Sequence, residues 1–404
     1  MELLATGNWL DSARARRVAF VMLLVTVATL AWLAATSHGT LDWRGRPLGT
    51  DFSQVYTAGQ MVRDGRVTDV WDWSSHFAVQ RAVHDLPTVD VYGWHYPPPF
   101  LLLATALSFL PYVTALVVWQ LATLGPLAVM GQRFLGRRDG WLFIVGAPVT
   151  LICLVHGHNG FLTALLLGGG LLLLNRRPLL AGLLFGALVY KPQFAMIIPL
   201  LLLFARSWRA IAGAALSSIV LIGITLILWG WPAWQAFFDS LPLTRHIVIE
   251  AGDTGWQKIM STFSALRAWG WAVEPAYAAQ AMVSATALAA VCALALRGRP
   301  LLRNAATCAG VLIATPYVLD YDFVVLLLGV GFLWKDAQDH GWQRWEKSLL
   351  GLVWIAPLFA RQLAEATTIP LGLVTAYIVL AISVRRAGLL TASPFRRSRA
   401  ASAP

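Results

Sequence analysis

Apolar segments long enough to cross a lipid bilayer recur from residue 18 to residue 384, and they constrain the fold more than any other feature. The hydrocarbon core of a bilayer contains no water, so each segment must satisfy its own backbone hydrogen bonds as a helix. The composition agrees, since 58% of the residues are hydrophobic and 13% are charged, whereas about a quarter of a soluble domain is charged. The sequence therefore predicts an all-α polytopic membrane protein.

These segments predict a bundle of about twelve transmembrane helices (roughly 11–13), because the boundaries of short runs can shift. The first segment, 18–35, lacks an Ala-x-Ala exit and is predicted to stay as a helix and not to be cleaved as a signal peptide. The segment 98–110 is short for a crossing and is predicted to be re-entrant or partly inserted on the external side. The twelve predicted helices are 18–35, 113–132, 141–155, 160–174, 178–190, 193–205, 210–229, 280–296, 304–316, 321–334, 348–360 and 370–384.

Charge placement predicts the topology. Most basic residues lie in short clusters between the apolar segments, which predicts that these clusters face the cytoplasm and that both termini are cytoplasmic. Two long loops, 36–97 and 231–279, contain more than half of the acidic residues and are predicted to be external and to include interfacial helices. Residues 1–385 are predicted to form a single integral-membrane domain, and 386–404 a basic, disordered cytoplasmic tail. The net charge of +11 therefore does not indicate a nucleic-acid partner.

Asp51 is the first candidate for chemistry. It lies in Gly49-Thr50-Asp51-Phe52, in the first hydrophilic loop after a membrane helix. A carboxylate at the membrane edge is able to take a proton from a sugar hydroxyl, which predicts a catalytic base. The alternative is structural, because Asp51 would also serve as the N-cap of an interfacial helix.

Two polar breaks between apolar helices predict a cavity on the external side. Non-helical backbone at membrane depth is tolerated only where it is buried in protein or lines a cavity. Lys191, in Lys191-Pro192-Gln193, is predicted to bind a phosphate at the cavity mouth with help from Gln193, the alternative being a snorkelling interfacial lysine. In the other break, His156, His158 and Asn159 are predicted to donate hydrogen bonds to a sugar or phosphate, since a metal pair lacks a third ligand.

Other polar and aromatic residues complete the candidate set. His95 and Tyr96 precede three prolines and predict either an interfacial aromatic belt or a platform for a sugar. Asp320 is expected to face the cavity, and Asp322 to cap the following helix. The three cysteines lie inside apolar runs without metal or disulfide spacing, and no metal or cofactor is predicted. The remaining candidates are Tyr56 and Tyr317 for the cavity, and Arg245, His246 and Arg361 for the phosphate.

Five short motifs follow one another in a fixed order along the chain. They are Gly49-Thr50-Asp51-Phe52 with Tyr56, Ala58 and Gly59; Tyr96-Pro97-Pro98; Gly157-His158-Asn159; Ala181-Gly182 through Lys191-Pro192-Gln193; and Pro316 through Asp320-Tyr321-Asp322. Together they resemble the signatures of glycosyltransferase family 87 (GT87, also described as DUF2029), a membrane family of the GT-C class, over about residues 15–385. Two positions depart from its pattern: His158 stands in place of Gln, and Tyr317 stands where many members have His.

The resemblance implies a GT-C-type bundle and an inverting transfer of a sugar, typically mannose, from a polyprenyl-phosphate donor. It implies a lipid or glycan acceptor and a reaction on the external face of the bacterial inner membrane. Carried over to this sequence, the general base of the family is Asp51. The change to Tyr317 predicts a different donor or acceptor, or a slower reaction, if the family histidine assists catalysis.

Two other classes of protein share some of these features. A transporter or flippase for polyprenyl-linked sugars also has broken helices and intramembrane charge, but it is expected to show an internal repeat. A non-catalytic membrane protein that binds a polyprenyl carrier would use the same cavity without chemistry. An Asp51→Asn variant separates an enzyme from such a protein, because only the enzyme loses turnover.

Overall fold

The computed structural model describes residues 1–297 and 299–389, and within them every regular element is a helix. The prediction of an all-α fold is therefore confirmed. Short 3₁₀ segments at Thr68–Trp71, Ala187–Tyr190 and Asp320–Phe323 and a π-helical segment at Arg245–Glu250 supplement the α-helices. The α-helices are α1 (Glu2–Thr6), α2 (Ser12–Thr36), α3 (Thr50–Arg63), α4 (Trp73–His84), α5 (Pro99–Leu107), α6 (Tyr112–Leu135), α7 (Leu142–Val145), α8 (Pro148–His156), α9 (Gly160–Leu173), α10 (Pro178–Gly186), α11 (Pro192–Ala195), α12 (Ile198–Phe204), α13 (Trp208–Thr244), α14 (Thr262–Ala268), α15 (Val273–Leu296), α16 (Pro300–Ile313), α17 (Val324–His340), α18 (Glu346–Ile355), α19 (Pro357–Thr367) and α20 (Leu371–Arg386).

Four helices in the described part of the chain are long and apolar enough to cross a membrane. They are α2, α6, α15, and α13 together with the π-helical segment that extends it. The pair α18–α19 is bent by 78° and adds a fifth if it forms one broken span. The apolar helices Gly160–Leu173, Pro178–Tyr190, Pro192–Phe204 and Pro300–Ile313 are shorter than a bilayer requires for a straight crossing. The count of twelve crossings stays a prediction.

One predicted boundary coincides with a break in a helix, and two other predicted segments differ from the observed helices. Helix α13 leaves helical geometry at Gly230 (φ 69°), one residue after the predicted end of 210–229. The predicted helix 141–155 is instead two short helices, because Pro148 starts a new helix after the turn at Gly146. In the segment 98–110, the helix runs only over the nine residues of α5, which is too short for a full crossing.

Helices α10 and α13 approach each other through small residues. A Cβ atom on Gly182 would lie 2.1 Å from the Ala210 carbonyl oxygen, and one on Gly186 would lie 2.2 Å from that of Ala214. The two glycines are four residues apart, as are the two alanines, so each pair lies on one helix face. Small residues at such spacing let membrane helices pack backbone to backbone, where lipid gives no hydrophobic driving force.

A buried ion cluster joins three helices at one end of the bundle. Arg386, at the end of α20, contacts Asp336 on α17 at 2.7 Å and also pairs with Glu346 on α18. All three residues are buried. The predicted tail 386–404 therefore starts too early, because Arg386 belongs to a packed helix, and residues 390–404 lie outside the described residues.

Other segments predicted to be cytoplasmic lie at the same end of the bundle as the Arg386 cluster. Arg16 faces Asp139 across 3.7 Å, and Arg299 contacts Asp336 at 3.0 Å. The Trp9 indole donates a hydrogen bond to the Ser348 hydroxyl, which joins the N-terminal segment to α18. These contacts join segments that the positive-inside rule assigns to one side.

The predicted outer loop 36–97 folds against the opposite end of the bundle. The Tyr112 hydroxyl at the start of α6 donates to the Leu48 carbonyl at 2.7 Å. His84, at the end of α4, bridges the Thr40 hydroxyl and the Ser53 hydroxyl at 2.8 and 2.7 Å. These hydrogen bonds hold the start of α3 in place against the membrane helices.

Candidate active site

Asp51 occupies the second position of α3 and does not cap that helix. The N-cap is Gly49, which adopts a left-handed conformation (φ 66°) that favours glycine, and no side chain caps the helix. The capping alternative for Asp51 is therefore wrong. The helix N-terminus still favours a negative charge at this position through its dipole. With 14% of its side chain exposed, Asp51 lies at the edge of the packed core.

A chain of polar contacts runs from Asp51 to Asp320. His156 Nδ1 lies 3.9 Å from Asp51 Oδ2 and 2.7 Å from the Thr50 hydroxyl oxygen. On the other side of the ring, His156 Nε2 lies 3.4 Å from Arg361 Nη2. Because a guanidinium only donates, Nε2 is the acceptor and Nδ1 carries the proton. Arg361 Nε in turn donates to Asp320 Oδ2 at 2.8 Å.

The surroundings of Asp51 tune its protonation. Burial raises the pKa of the Asp51 carboxyl to about 7, and the nearby Asp320 carboxylate contributes to the rise. The side chains of Tyr321, Lys258 and Arg361 lower this pKa and so limit the shift. A carboxyl with a pKa near neutrality is suited to proton transfer, because general bases work best with a pKa near the operating pH.

Lys191 lies in a buried ion pair. Its ammonium group donates to Asp322 Oδ1 and, at 3.1 Å, to Asn159 Oδ1, and 2% of the residue is exposed. Asp322 also accepts a hydrogen bond from the Leu319 backbone N–H through its other oxygen, within the 3₁₀ turn to which it belongs. The expectation that it caps the following helix is therefore wrong, because α17 has Phe323 at its N-cap and no side-chain cap. The Lys191 charge is thus already neutralised by protein. Gln193 follows on α11 and is partly buried.

Tyr321 connects the residues around Asp51 with the residues around Lys191. The His158 ring stacks on Tyr321 with centroids 3.5 Å apart, and the His156 ring lies 5.7 Å from the same residue. The Tyr96 hydroxyl and His158 Nε2 are 3.3 Å apart. Asn159 Nδ2 and His158 Nδ1 are buried without a hydrogen-bond partner among the described residues. Two polar atoms of the predicted helix break are therefore free for a ligand or water.

Two hollows run along the same face of α19 toward this cluster. The outer one is an open groove of about 180 Å³, and the inner one is smaller and reaches Asp320. Ala360 lines the inner hollow and Ala364 the outer groove, and their four-residue spacing makes the two hollows neighbours. The outer groove is lined by Trp256, Gln257, Ala265, Ala268, Ala364, Glu365, Thr368 and Pro370, and the inner hollow by Met260, Asp320, Phe323, Pro357, Ala360 and Gly372.

The other predicted site residues divide into near and distant ones. Tyr317 lies within electrostatic reach of the cluster, because burial and then the Asp51 carboxylate raise the pKa of its phenol. Tyr56 is buried and donates to the Leu110 carbonyl, and His95 contacts the Thr244 hydroxyl at 3.2 Å. Arg245 and His246 pair instead with Glu250, and their side chains are 66% and 72% exposed. The structure therefore does not bring Arg245 and His246 into the cluster around Asp51.

Sequence reasoning missed two members of the site. Tyr321 stacks on His158, and the His156 ring lies beside it at an inclined angle. Its sequence signal was its place between two acids in the last of the five motifs. Lys258 lies close enough to Asp51 to lower the pKa of that carboxyl. Its signal was the scarcity of lysine, since the chain contains only Lys191, Lys258, Lys335 and Lys347.

In residues 1–297 and 299–389, no three His, Cys, Asp or Glu side chains are clustered so that they could hold a metal ion.

Comparison with known proteins gives one match. The family model of glycosyltransferase family 87 matches residues 94–319, which is more than half of the chain. The matched range includes Tyr96, the break at His158 and the break at Lys191, whereas Asp51 and Arg361 lie outside it. No curated protein and no solved structure matches the chain.

Proposed function

The chain belongs to glycosyltransferase family 87, and from that premise we propose that it is an inverting hexosyltransferase that uses a polyprenyl-phosphate sugar as donor. The proposed sugar is mannose, and the proposed acceptor is a lipid or a glycan. The observation that carries the proposal is the Asp51 carboxyl, which lies at a helix N-terminus beside cationic side chains with its pKa raised to about 7.

The proposed reaction begins with proton transfer. As the acceptor hydroxyl attacks the anomeric carbon, its proton moves to Asp51. The bond from that carbon to the phosphate oxygen breaks on the opposite face, which inverts the configuration. Asp320 and Arg361 form a charged pair beside the reacting groups, and preorganised charge is commonly the largest catalytic contribution.

Two neighbouring groups have supporting roles in this proposal. Lys191 holds Asp322 and Asn159 in place, and it stabilises a phosphate only through this network, because its ammonium group is already paired. The unpartnered Asn159 Nδ2 is a donor for a sugar hydroxyl, and the unpartnered His158 Nδ1 is a donor or an acceptor depending on the tautomer. The position of Tyr317 near Asp51 supports a role at the same cavity.

We also propose the topology that such a reaction needs. The bundle crosses the bacterial inner membrane about twelve times, with both termini cytoplasmic and Asp51 facing the periplasm. Contacts among the basic segments at one end, including Arg16 with Asp139 and Arg299 with Asp336, support this orientation. Short helices also support the proposed crossings. Helix α9, for example, starts beside Tyr321 at the site and ends beside Asn304 at the opposite end of the bundle.

The test is incubation of the purified protein with labelled polyprenyl-phosphate mannose and extracted membrane lipids. The expected result is a labelled product whose formation depends on Asp51, with the Asp51→Asn variant folded and still able to bind the donor. A carrier-binding protein without catalysis would behave identically with and without the substitution. No consumption of any polyprenyl-phosphate sugar by the wild type would overturn the proposed donor class.

A further inference from the structure

The backbone around Lys258 is fixed against the segment that holds the acidic residues of the site. The Met260 N–H donates to the Val318 carbonyl at 2.9 Å, and the Asp320 N–H donates to the Lys258 carbonyl at 3.2 Å. An antiparallel bridge between Ile259 and Leu319 lies between these bonds. The second outer loop is thus held in register, with Lys258 directly opposite Asp320.

Lys258 is an unpaired cation close to the candidate site. Among the residues that the structure describes, its ammonium group forms no ion pair and no hydrogen bond, and the residue is partly buried. The neighbouring cations are neutralised, Arg361 by Asp320 and Lys191 by Asp322. A cation without a partner next to a catalytic carboxyl points to a ligand that brings its own negative charge.

The position of Lys258 also gives it access to a substrate. It directly follows Trp256 and Gln257, which line the open groove along α19. Its charge acts on the proposed base, lowering the pKa of the Asp51 carboxyl. Lys258 therefore follows the groove lining in sequence and lies within electrostatic reach of the proposed base.

We propose that the Lys258 ammonium group binds the phosphate that leaves the sugar, in place of the buried Lys191. This inference rests on the proposed function. In the transfer, the bond between the anomeric carbon and the phosphate oxygen breaks, and its electron pair stays on that oxygen. The donor is a phosphodiester with one negative charge, and the departing phosphate monoester gains a second. The proton of the acceptor hydroxyl goes to Asp51, so charge and atoms balance.

This change of charge determines when Lys258 acts. The ammonium group attracts the phosphate more strongly as negative charge develops on the leaving oxygen. Such an interaction is stronger in the transition state than in the bound donor, so it raises the turnover rate as well as the affinity. It also predicts tight binding of the prenyl phosphate product.

The experiment compares Lys258→Gln and Lys258→Arg with wild type and with Lys335→Gln. Lys335 is a matched control, since it is partly buried, forms no ion pair among the described residues and lies on α17 near the opposite end. The ligands are geranylgeranyl phosphate and, as an uncharged control, geranylgeraniol, with binding measured by calorimetry in detergent. Transfer of labelled mannose from its polyprenyl-phosphate donor is measured in parallel.

We expect Lys258→Gln to bind geranylgeranyl phosphate about 10- to 100-fold more weakly and to lose turnover by a similar factor. Binding of geranylgeraniol stays unchanged, Lys258→Arg recovers most of the loss, and Lys335→Gln behaves as wild type. If wild type transfers sugar but Lys258→Gln binds the phosphate equally well, this inference is wrong and the proposed function stands. If wild type neither binds the prenyl phosphate nor transfers sugar, the proposed function fails, and the role of Lys258 fails with it.

Discussion

At the scale of single residues, the proposed catalysis depends on the protonation of Asp51. Its side chain is almost fully buried beside Asp320, and that environment favours the neutral acid. The cations Lys258 and Arg361 oppose the shift and keep the group close to its titration point at neutral pH. Small changes in this balance are therefore expected to change the fraction of active enzyme.

The pH dependence of catalysis follows directly. A base with a pKa of about 7 is ionised above that pH, so kcat/KM should level off on the alkaline side and fall about tenfold per pH unit below it. The measurement is the initial rate of transfer at low donor concentration between pH 5 and pH 9. The phosphodiester donor does not titrate in this range, and a flat profile would mean that Asp51 is not the base.

At the scale of helices, two contacts are expected to contribute strongly to the stability of the bundle. The first is the close approach of α10 to α13. Gly182→Ala places a methyl group against the Ala210 carbonyl oxygen, and the expected destabilisation is roughly 1–3 kcal/mol, because packed backbones cannot separate without losing other contacts. Gly223→Ala on α13 is the control, since its added methyl group meets nothing within 4 Å. Thermal unfolding in detergent compares the two, and equal melting temperatures would contradict the packing argument.

The second contact is the buried ion cluster of α17, α18 and α20. Arg386→Met leaves the buried carboxylates Asp336 and Glu346 without their central partner, at an expected cost of about 3–5 kcal/mol. Arg385→Met removes a neighbouring pair with Glu346 in which the arginine side chain is 37% exposed, so a loss of about 1 kcal/mol or less is expected. Denaturant unfolding of both variants tests the ranking, which a similar loss in each would overturn.

At the scale of the whole molecule, the topology makes a prediction about accessibility. Asp90 and Arg138 are exposed residues in segments predicted to lie on opposite sides of the membrane. A membrane-impermeant maleimide added to intact cells should label Asp90→Cys and leave Arg138→Cys unlabelled until the membrane is opened. The native cysteines are buried and give a low background. Labelling of Arg138→Cys alone would reverse the proposed orientation.

Sequence reasoning reached the helical class, because hydrophobic length is a local property of the chain. The external position of the two long loops and the role of Asp51 stay predictions. Sequence reasoning also placed His156, His158 and Lys191 at helix breaks, where the structure brings the two histidines to Tyr321 and Lys191 to Asn159. It did not find that Asp322 neutralises Lys191, because that pairing joins residues 131 positions apart and depends on tertiary packing. Sequence reasoning did not identify Lys258 for the same reason, since only the register of two distant loop segments places it beside Asp320.

The central claim is that Asp51 removes a proton from an acceptor that attacks a phosphate-linked sugar. The most direct measurement is the single-turnover rate of sugar transfer from a polyprenyl-phosphate donor by wild type and by Asp51→Asn. We expect a rate at least about 100-fold lower in the variant, with donor binding retained, because a general base contributes roughly 10²–10⁴-fold. Equal rates in the two proteins would contradict it.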